Sequence, residues 1–200
     1  FSGRSNVARY IKSPRKSVEK DLSKIYSYIV HREIKKPRNF NPIYVYGRRE
    51  IVQGDLCDLN NIKEFNDNFR YLLVLIDSFS RKVWVKPLKT KTAAETLQAF
   101  REIYNEIGHF RVLYFDRGTD ITNKELRSEL RNKNIELRFP VFKVGTVERF
   151  LRTLQSIIYK YMTSAGTNRY IDKLQDIVHM YNERYHRSIQ CSPNFADKPE

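Results

Sequence analysis

Three acidic residues, far apart in the chain, have the types and local settings needed to bind a divalent metal. Asp55 lies within the strand-like segment 51–59, where an acid among apolar neighbours is costly unless a cation compensates its charge. Asp116 follows the apolar run 112–115, and Glu148 lies in the first turn of a predicted helix, where the helix dipole favours the ionised carboxylate. Carboxylate oxygens are the ligands that Mg²⁺ prefers. The three acids therefore predict metal-dependent chemistry.

The reaction that best fits such a trio is phosphodiester transfer. That reaction needs charge neutralised on the phosphoryl group and on the entering and leaving oxygens, and two divalent ions about 3.5–4 Å apart do this well. Two or three carboxylates also leave metal positions open for water and substrate phosphate.

Other acids compete for these roles. Asp58 and Asp77 are also associated with predicted strands, and Asp55 is preferred to them as the first ligand. Asp120 lies too far beyond its strand and is predicted to cap the following helix. A first-turn glutamate alone would usually do no more than complement the helix dipole, so the metal role of Glu148 depends on the other two acids.

The elements that must position the acids form an α/β pattern. The residue patterns predict strands at 51–59, 69–79, 83–88, 111–115 and 135–139, and helices at 92–107, 123–133, 146–162 and 169–185. This order predicts a mixed five-stranded sheet flanked by helices. The right-handed crossover rule lets the strand that ends before Asp116 lie parallel to the strand carrying Asp55, which brings the two carboxylates together.

The first 50 residues differ in character from the rest. They contain 13 Lys or Arg and 4 Asp or Glu, a net charge of +9 out of +14 for the chain. We interpret residues 1–34 as a small helical region with helices at 4–12 and 14–32, residues 35–50 as a basic linker, 51–192 as the catalytic core and 193–200 as a C-terminal tail.

The composition favours a nucleic-acid partner. A pI near 9.8 on a 200-residue chain attracts polyanions, although a solvated basic surface or an acidic partner would give the same charge. The two cysteines and four histidines lack the spacing of a disulfide framework or a structural zinc site. Since the sequence has no apolar run long enough to span a bilayer, we expect no membrane partner.

Sequence blocks around the three acids resemble retroviral and retrotransposon-type integrases, which share a D,D,E signature and a ribonuclease H-like fold. The blocks are Gln53-x-Asp55-Leu56, Asp116-x-Gly118-Thr119 with Asn123, and Val147-Glu148-Arg149-Phe150 with Arg152-Thr153-Leu154. Segments 169–172, 181–182 and 185–189, with 18–22 near the start, are similar to integrases of Maverick (Polinton) transposons. Val52, Arg117 and Asp120 depart from the usual pattern without removing a metal ligand.

The resemblance implies a DNA integrase that processes 3′ ends and joins them to target DNA. Asp55 would bridge two Mg²⁺ (or Mn²⁺) ions, Asp116 would complete one and Glu148 the other. The partners would be double-stranded DNA and further copies of the chain. The protein would act in the nucleus, and before nuclear entry it would be associated with a virion or lie in the cytoplasm. A decayed integrase that only binds DNA or partners, and a ribonuclease H-like nuclease, are the alternatives.

Eight residues are candidates for contact with DNA. Arg152 and Gln155 stand four and seven positions after Glu148 and so share its helix face. Arg117 is next to the second acid. The full set is Arg117, Lys143, Arg149, Arg152, Gln155, Lys35, Lys36 and Arg38.

Overall fold

The computed structural model describes residues 44–115, 124–139 and 145–198, all of which belong to one compact unit. The strands are β1 (Ile51–Asp58), β2 (Tyr71–Asp77), β3 (Val83–Leu88), β4 (Val112–Phe115) and β5 (Glu136–Arg138). The helices are α1 (Ala93–Ile107), α2 (Lys124–Asn132), α3 (Gly145–Ala165), α4 (Leu174–Glu183) and α5 (Pro193–Ala196), with 3-10 helices at Asn60–Phe65 and Ile171–Lys173. The predicted helices at 4–12 and 14–32 lie outside the described residues, as does most of the predicted linker.

The five strands form one mixed sheet in the order β3-β2-β1-β4-β5. β1 pairs with β2 in antiparallel fashion and with β4 in parallel, and β5 runs parallel to β4. The predicted parallel pairing of the strand that carries Asp55 with the strand that ends at Phe115 is therefore confirmed. So is the predicted mixed five-stranded sheet flanked by helices.

Helices cover both faces of the sheet, and alternation along β1 decides which face each side chain meets. Val52 belongs to the apolar cluster that packs against α1 and α2, whereas Cys57 belongs to the cluster that packs against α3 and α4. Because successive strand residues point to opposite faces, Gln53 and Asp55 share the α3 face with Cys57. The first predicted metal ligand therefore points toward the helix that carries the third.

The start of α4 differs from the sequence prediction. The apolar pattern predicts a helix from residue 169, but α4 begins at Leu174, after the 3-10 helix. The buried Asn66 side chain explains the delay, because its Oδ1 accepts the backbone N–H groups of Tyr170 at 2.8 Å and Ile171 at 3.1 Å. These bonds hold the segment that enters the helix against the 3-10 helix Asn60–Phe65.

Two segments at the borders of the predicted core are bonded to it. The backbone carbonyl of Arg49 accepts the N–H of Arg111 at 3.0 Å, which extends the contact between β1 and β4. Residues 193–196, predicted as part of a tail, form the short helix α5. Asp197, which follows it, is buried and accepts a 2.8 Å bond from Lys82 Nζ. Within the described residues, no helix is long and apolar enough to cross a membrane.

Candidate active site

Asp55 lies in the middle of β1, half-buried, where it pairs with Val74 of β2. Its Oδ1 accepts the backbone N–H of Leu56 at 2.8 Å, a bond that holds the carboxylate beside its own strand. Its neighbour Gly54 pairs with Phe115, the last residue of β4. Asp55 is therefore next to the point at which the chain leaves β4.

Gln53 links the start of α3 to β1, the strand that carries Asp55, through a side-chain hydrogen bond. Its side chain is 2% exposed, donates through Nε2 to Ser78 Oγ at 2.8 Å and accepts the Val147 N–H through Oε1 at 3.2 Å. The Val147 N–H is one of the first-turn donors that a helix cannot satisfy internally. No structural role for Gln53 was predicted from the sequence. Its position in an apolar strand, two residues before Asp55, could have indicated a buried amide that needs hydrogen-bond partners.

Glu148 directly follows the residue that Gln53 holds, and a second contact fixes the face that it presents. The Gln155 side chain lies beside the Cys57 thiol of β1. Residues seven apart lie on one side of a helix, so Glu148 shares the Gln155 side, which faces β1. Between the two contacts α3 rises about 12 Å, and β1 advances about 13 Å. Helix and strand therefore run side by side, with Asp55 and Glu148 at their interface.

The second predicted acid, Asp116, lies outside the described residues. It follows Phe115 in the chain, and Phe115 is the β4 partner of the residue before Asp55. Within the described residues, no group of three metal-binding side chains comes together. The predicted DNA contacts Arg117, Lys143, Lys35, Lys36 and Arg38 also lie outside the described part of the chain.

The three predicted DNA contacts on α3 occupy different environments. Arg152 is exposed on the Glu148 side of the helix. Gln155 is half-buried beside Cys57, whose pKa is raised by burial to about 11. Arg149 is exposed but projects about 100° around the helix from Glu148. Of these three predicted contacts, Arg152 is thus the one that best continues the surface of the two acids.

The competing acids have structural roles. Asp77 is fully buried and closes the β2–β3 turn, accepting the N–H and the hydroxyl of Ser80 at 2.8 and 2.7 Å and the N–H of Arg49 at 3.0 Å. Asp58 is exposed and accepts the N–H of Asn60 at the start of the 3-10 helix, at 2.9 Å. Asp120 is outside the described residues. The bonds of Asp77 explain how an acid can be buried in the sheet without a metal.

Comparisons with known proteins find an integrase family model and a transposon-derived relative. Residues 46–140 match the family model described as Integrase core domain. A transposon-derived protein of Caenorhabditis elegans is 35% identical over 138 residues, covering 68% of this chain and 48% of that protein. The chain thus spans about half the length of this relative.

Solved integrase structures share the fold. The catalytic core domain of HTLV-2 integrase, in complex with magnesium, superposes with a TM-score of 0.64 at 18% identity, covering 76% of this chain and 98% of that one. A chain of the simian T-cell lymphotropic virus intasome superposes with a TM-score of 0.70 at 16% identity, covering 100% and 72%. The fold is therefore ribonuclease H-like, and the matches together support placement in the DDE integrase superfamily.

Proposed function

We propose that the chain is the catalytic core of a DNA integrase that carries out metal-dependent 3′-end processing and strand transfer. The observation that carries the proposal is that Asp55 lies on the side of β1 that faces α3 and Glu148 on the side of α3 that faces β1, beside the end of β4. Asp116 follows that strand end, and we propose that it completes the site. The match of residues 46–140 to the integrase core domain supports this assignment.

The donor set suits a hard divalent cation. Asp55 and Glu148 offer carboxylate oxygens from two different elements, and both side chains are half-buried, so water and a phosphate can still reach them. We propose that these two residues and Asp116 hold two Mg²⁺ or Mn²⁺ ions, which would supply Lewis-acid activation of phosphoryl oxygens and of the attacking water or hydroxyl.

The protein's own groups would bind and orient the DNA. Arg152 is an exposed guanidinium on the side of α3 that carries Glu148, and it can bind a phosphate oxygen of the DNA end. Gln53 acts as a positioning residue, because its bond to Val147 fixes the first turn of α3 against β1. We further propose a Maverick-type origin, homo-oligomeric assembly on DNA and a nuclear site of action.

A strand-transfer assay tests the proposal. The chain is incubated with labelled duplex DNA, a supercoiled target plasmid and Mg²⁺ or Mn²⁺, and joined products are counted. We expect Asp55→Asn and Glu148→Gln each to lower joining by about 100-fold or more, because each removes a charged ligand that stabilises the transition state. Mn²⁺ binding, measured by calorimetry, should weaken in the same variants.

Asp58→Asn is the matched control. It makes the same chemical change on the same strand, and the amide oxygen can still accept the Asn60 N–H, so joining should be unchanged. If Asp58→Asn lowers joining as much as Asp55→Asn does, the assignment of Asp55 is wrong. Hydrolysis of an RNA–DNA hybrid without joining would instead support the nuclease alternative, and DNA binding without either reaction would support a decayed integrase.

A further inference from the structure

A cavity of about 390 Å³ lies beside α3, on the side away from Glu148. Its walls come from α3, the β2–β3 turn and the segment that follows α4. Four arginines line it, namely Arg81, Arg149, Arg184 and Arg187. No aspartate or glutamate is present among its described lining residues. We refer to this cavity as the arginine pocket.

The arginine pocket is separate from the acidic site. Arg149 and Thr153, four residues apart, face the pocket, and each helical residue is turned about 100° from its neighbour. Glu148 therefore projects from a different side of α3. The pocket face is closed by α4 through the Phe150 and Tyr181 rings, whose centroids are 4.7 Å apart in an edge-to-face arrangement.

None of the four pocket arginines forms an ion pair within the described part of the protein. The arginines that form ion pairs elsewhere in the described residues are Arg49, Arg101, Arg111, Arg138 and Arg169. None of them lines the arginine pocket. Arg81 is half-buried and donates to Thr146 Oγ1 at 2.9 Å. Burial lowers the pKa of Arg81 and the nearby Arg149 charge lowers it further, whereas Tyr181 and Asp77 act in the opposite direction. An anion in the cavity would offset the repulsion between Arg81 and Arg149.

The rim of the pocket is held in place without using its arginines. The backbone N–H groups of His186 and Gln190 bond to the carbonyls of Cys191 at 2.9 Å and His186 at 2.8 Å, which closes a tight turn. The His186 ring packs edge-on against Tyr181, with centroids 4.6 Å apart. Arg184 and Arg187 are exposed beside this turn, so their guanidinium groups can reach a ligand from a fixed backbone.

We propose that the arginine pocket binds a phosphate group. Guanidinium forks bind phosphate oxygens in bidentate fashion, and several forks around one concave site match the multiple acceptor oxygens of phosphate. The phosphate belongs either to the backbone of DNA or to a free phosphorylated compound. The DNA source rests on the proposed function, since it would extend the DNA path from the acidic site around α3.

The test compares two double variants of the full chain. Arg184→Gln with Arg187→Gln removes two exposed charges from the pocket. Lys124→Gln with Arg131→Gln removes two exposed charges from α2, which packs on the other face of the sheet. Binding of labelled duplex DNA is followed by fluorescence anisotropy, and binding of sodium pyrophosphate by calorimetry, both in EDTA so that metal binding plays no part.

We expect the pocket variant to weaken binding about 100-fold, about tenfold for each lost guanidinium, and the α2 variant to weaken it less than about threefold. With DNA, the slope of the logarithm of the binding constant against the logarithm of the salt concentration should also become shallower, by the equivalent of about two phosphate contacts. A loss with DNA indicates that the pocket holds a backbone phosphate. A loss with pyrophosphate alone indicates a free phosphorylated compound.

The proposal is overturned if neither probe binds, or if the pocket variant weakens binding no more than the α2 variant does. This outcome is distinct from failure of the proposed function. Strand transfer that is unaffected by Asp55→Asn would refute the catalytic assignment, whereas pyrophosphate binding in EDTA does not depend on it.

Discussion

The link between β1 and α3 can be tested by replacing Gln53 with methionine. Methionine has a similar length and shape but cannot accept the Val147 N–H or donate to Ser78, so both bonds of the buried amide are lost. Two hydrogen bonds are worth about 2 kcal/mol in net stability, and the buried N–H left without a partner costs about a further 1–2 kcal/mol. Burial of a more apolar side chain offsets about 1 kcal/mol. The expected destabilisation is about 2–3 kcal/mol.

Urea denaturation measures this free energy of unfolding directly, and the slope against denaturant should stay the same because the native fold is retained. A chain of this size should lose about 4–12 °C in Tm. Gln98→Met is the matched control, because Gln98 is exposed and makes a single bond to Glu102, at 3.1 Å. That change should cost about 0.5 kcal/mol or less.

A second variant separates the two bonds of Gln53. Ser78→Ala removes one of them, and its cost should not add to that of Gln53→Met, because both changes break the same bond. If Gln53→Met costs no more than Gln98→Met, Gln53 does not anchor α3. If the costs of Gln53→Met and Ser78→Ala add fully, the bond between Gln53 and Ser78 contributes nothing to stability. Under the proposed function, Gln53→Met should also lower strand transfer under conditions in which the variant is still folded. The reason is that Val147, which loses its bond to Gln53, directly precedes Glu148.

Three further predictions concern the fold around the site. Gly54→Ala should cost about 1–3 kcal/mol of unfolding free energy, because an added Cβ would meet a buried phenyl ring at 2.4 Å, whereas Gly47→Ala, with open space around it, should be neutral. Asn66→Ala removes four hydrogen bonds and should cost about 3–4 kcal/mol, and a urea midpoint close to the wild-type value would contradict this role. A hydrogen bond from Arg169 holds the pKa of Asp67 below 3.8, so this pair stabilises the fold fully above pH 3.8 and less as the pH falls below it. In Arg169→Gln, Tm should therefore fall less steeply as the pH is lowered below 3.8 than it does in the wild type. An equally steep fall would refute this prediction.

Much of the fold could be predicted because the apolar patterns were clear. The strand carrying Val74 is almost wholly apolar, as expected when both faces are covered, and α3 extends only slightly beyond the predicted range 146–162. The start of α4 could not be predicted, since it depends on the Asn66 side chain, about 100 residues earlier in the chain. Local propensity carries no information about such a distant bond.

The site was only partly predictable for a similar reason. Residue types and local settings identified Asp55 and Glu148 as candidates, and the parallel pairing of β1 and β4 was predicted from the right-handed crossover between them. The role of Gln53 was missed because its partners, Ser78 and Val147, belong to two other segments. The arginine pocket was missed because its four cations come from separate parts of the chain, and sequence spacing does not bring them together.

The two sides of α3 explain how one helix could serve both metal and phosphate binding. Neighbouring residues Glu148 and Arg149 are turned about 100° apart, so an acid and a base adjacent in sequence face different surfaces. The side with Glu148 meets β1 and a carboxylate, where a cation is favoured. The side with Arg149 meets three further arginines, where an anion is favoured. Exchanging the two residues, Glu148→Arg with Arg149→Glu, should therefore weaken both Mn²⁺ and pyrophosphate binding while leaving the net charge unchanged. Retention of either affinity would show that the corresponding side of α3 is not the one that binds it.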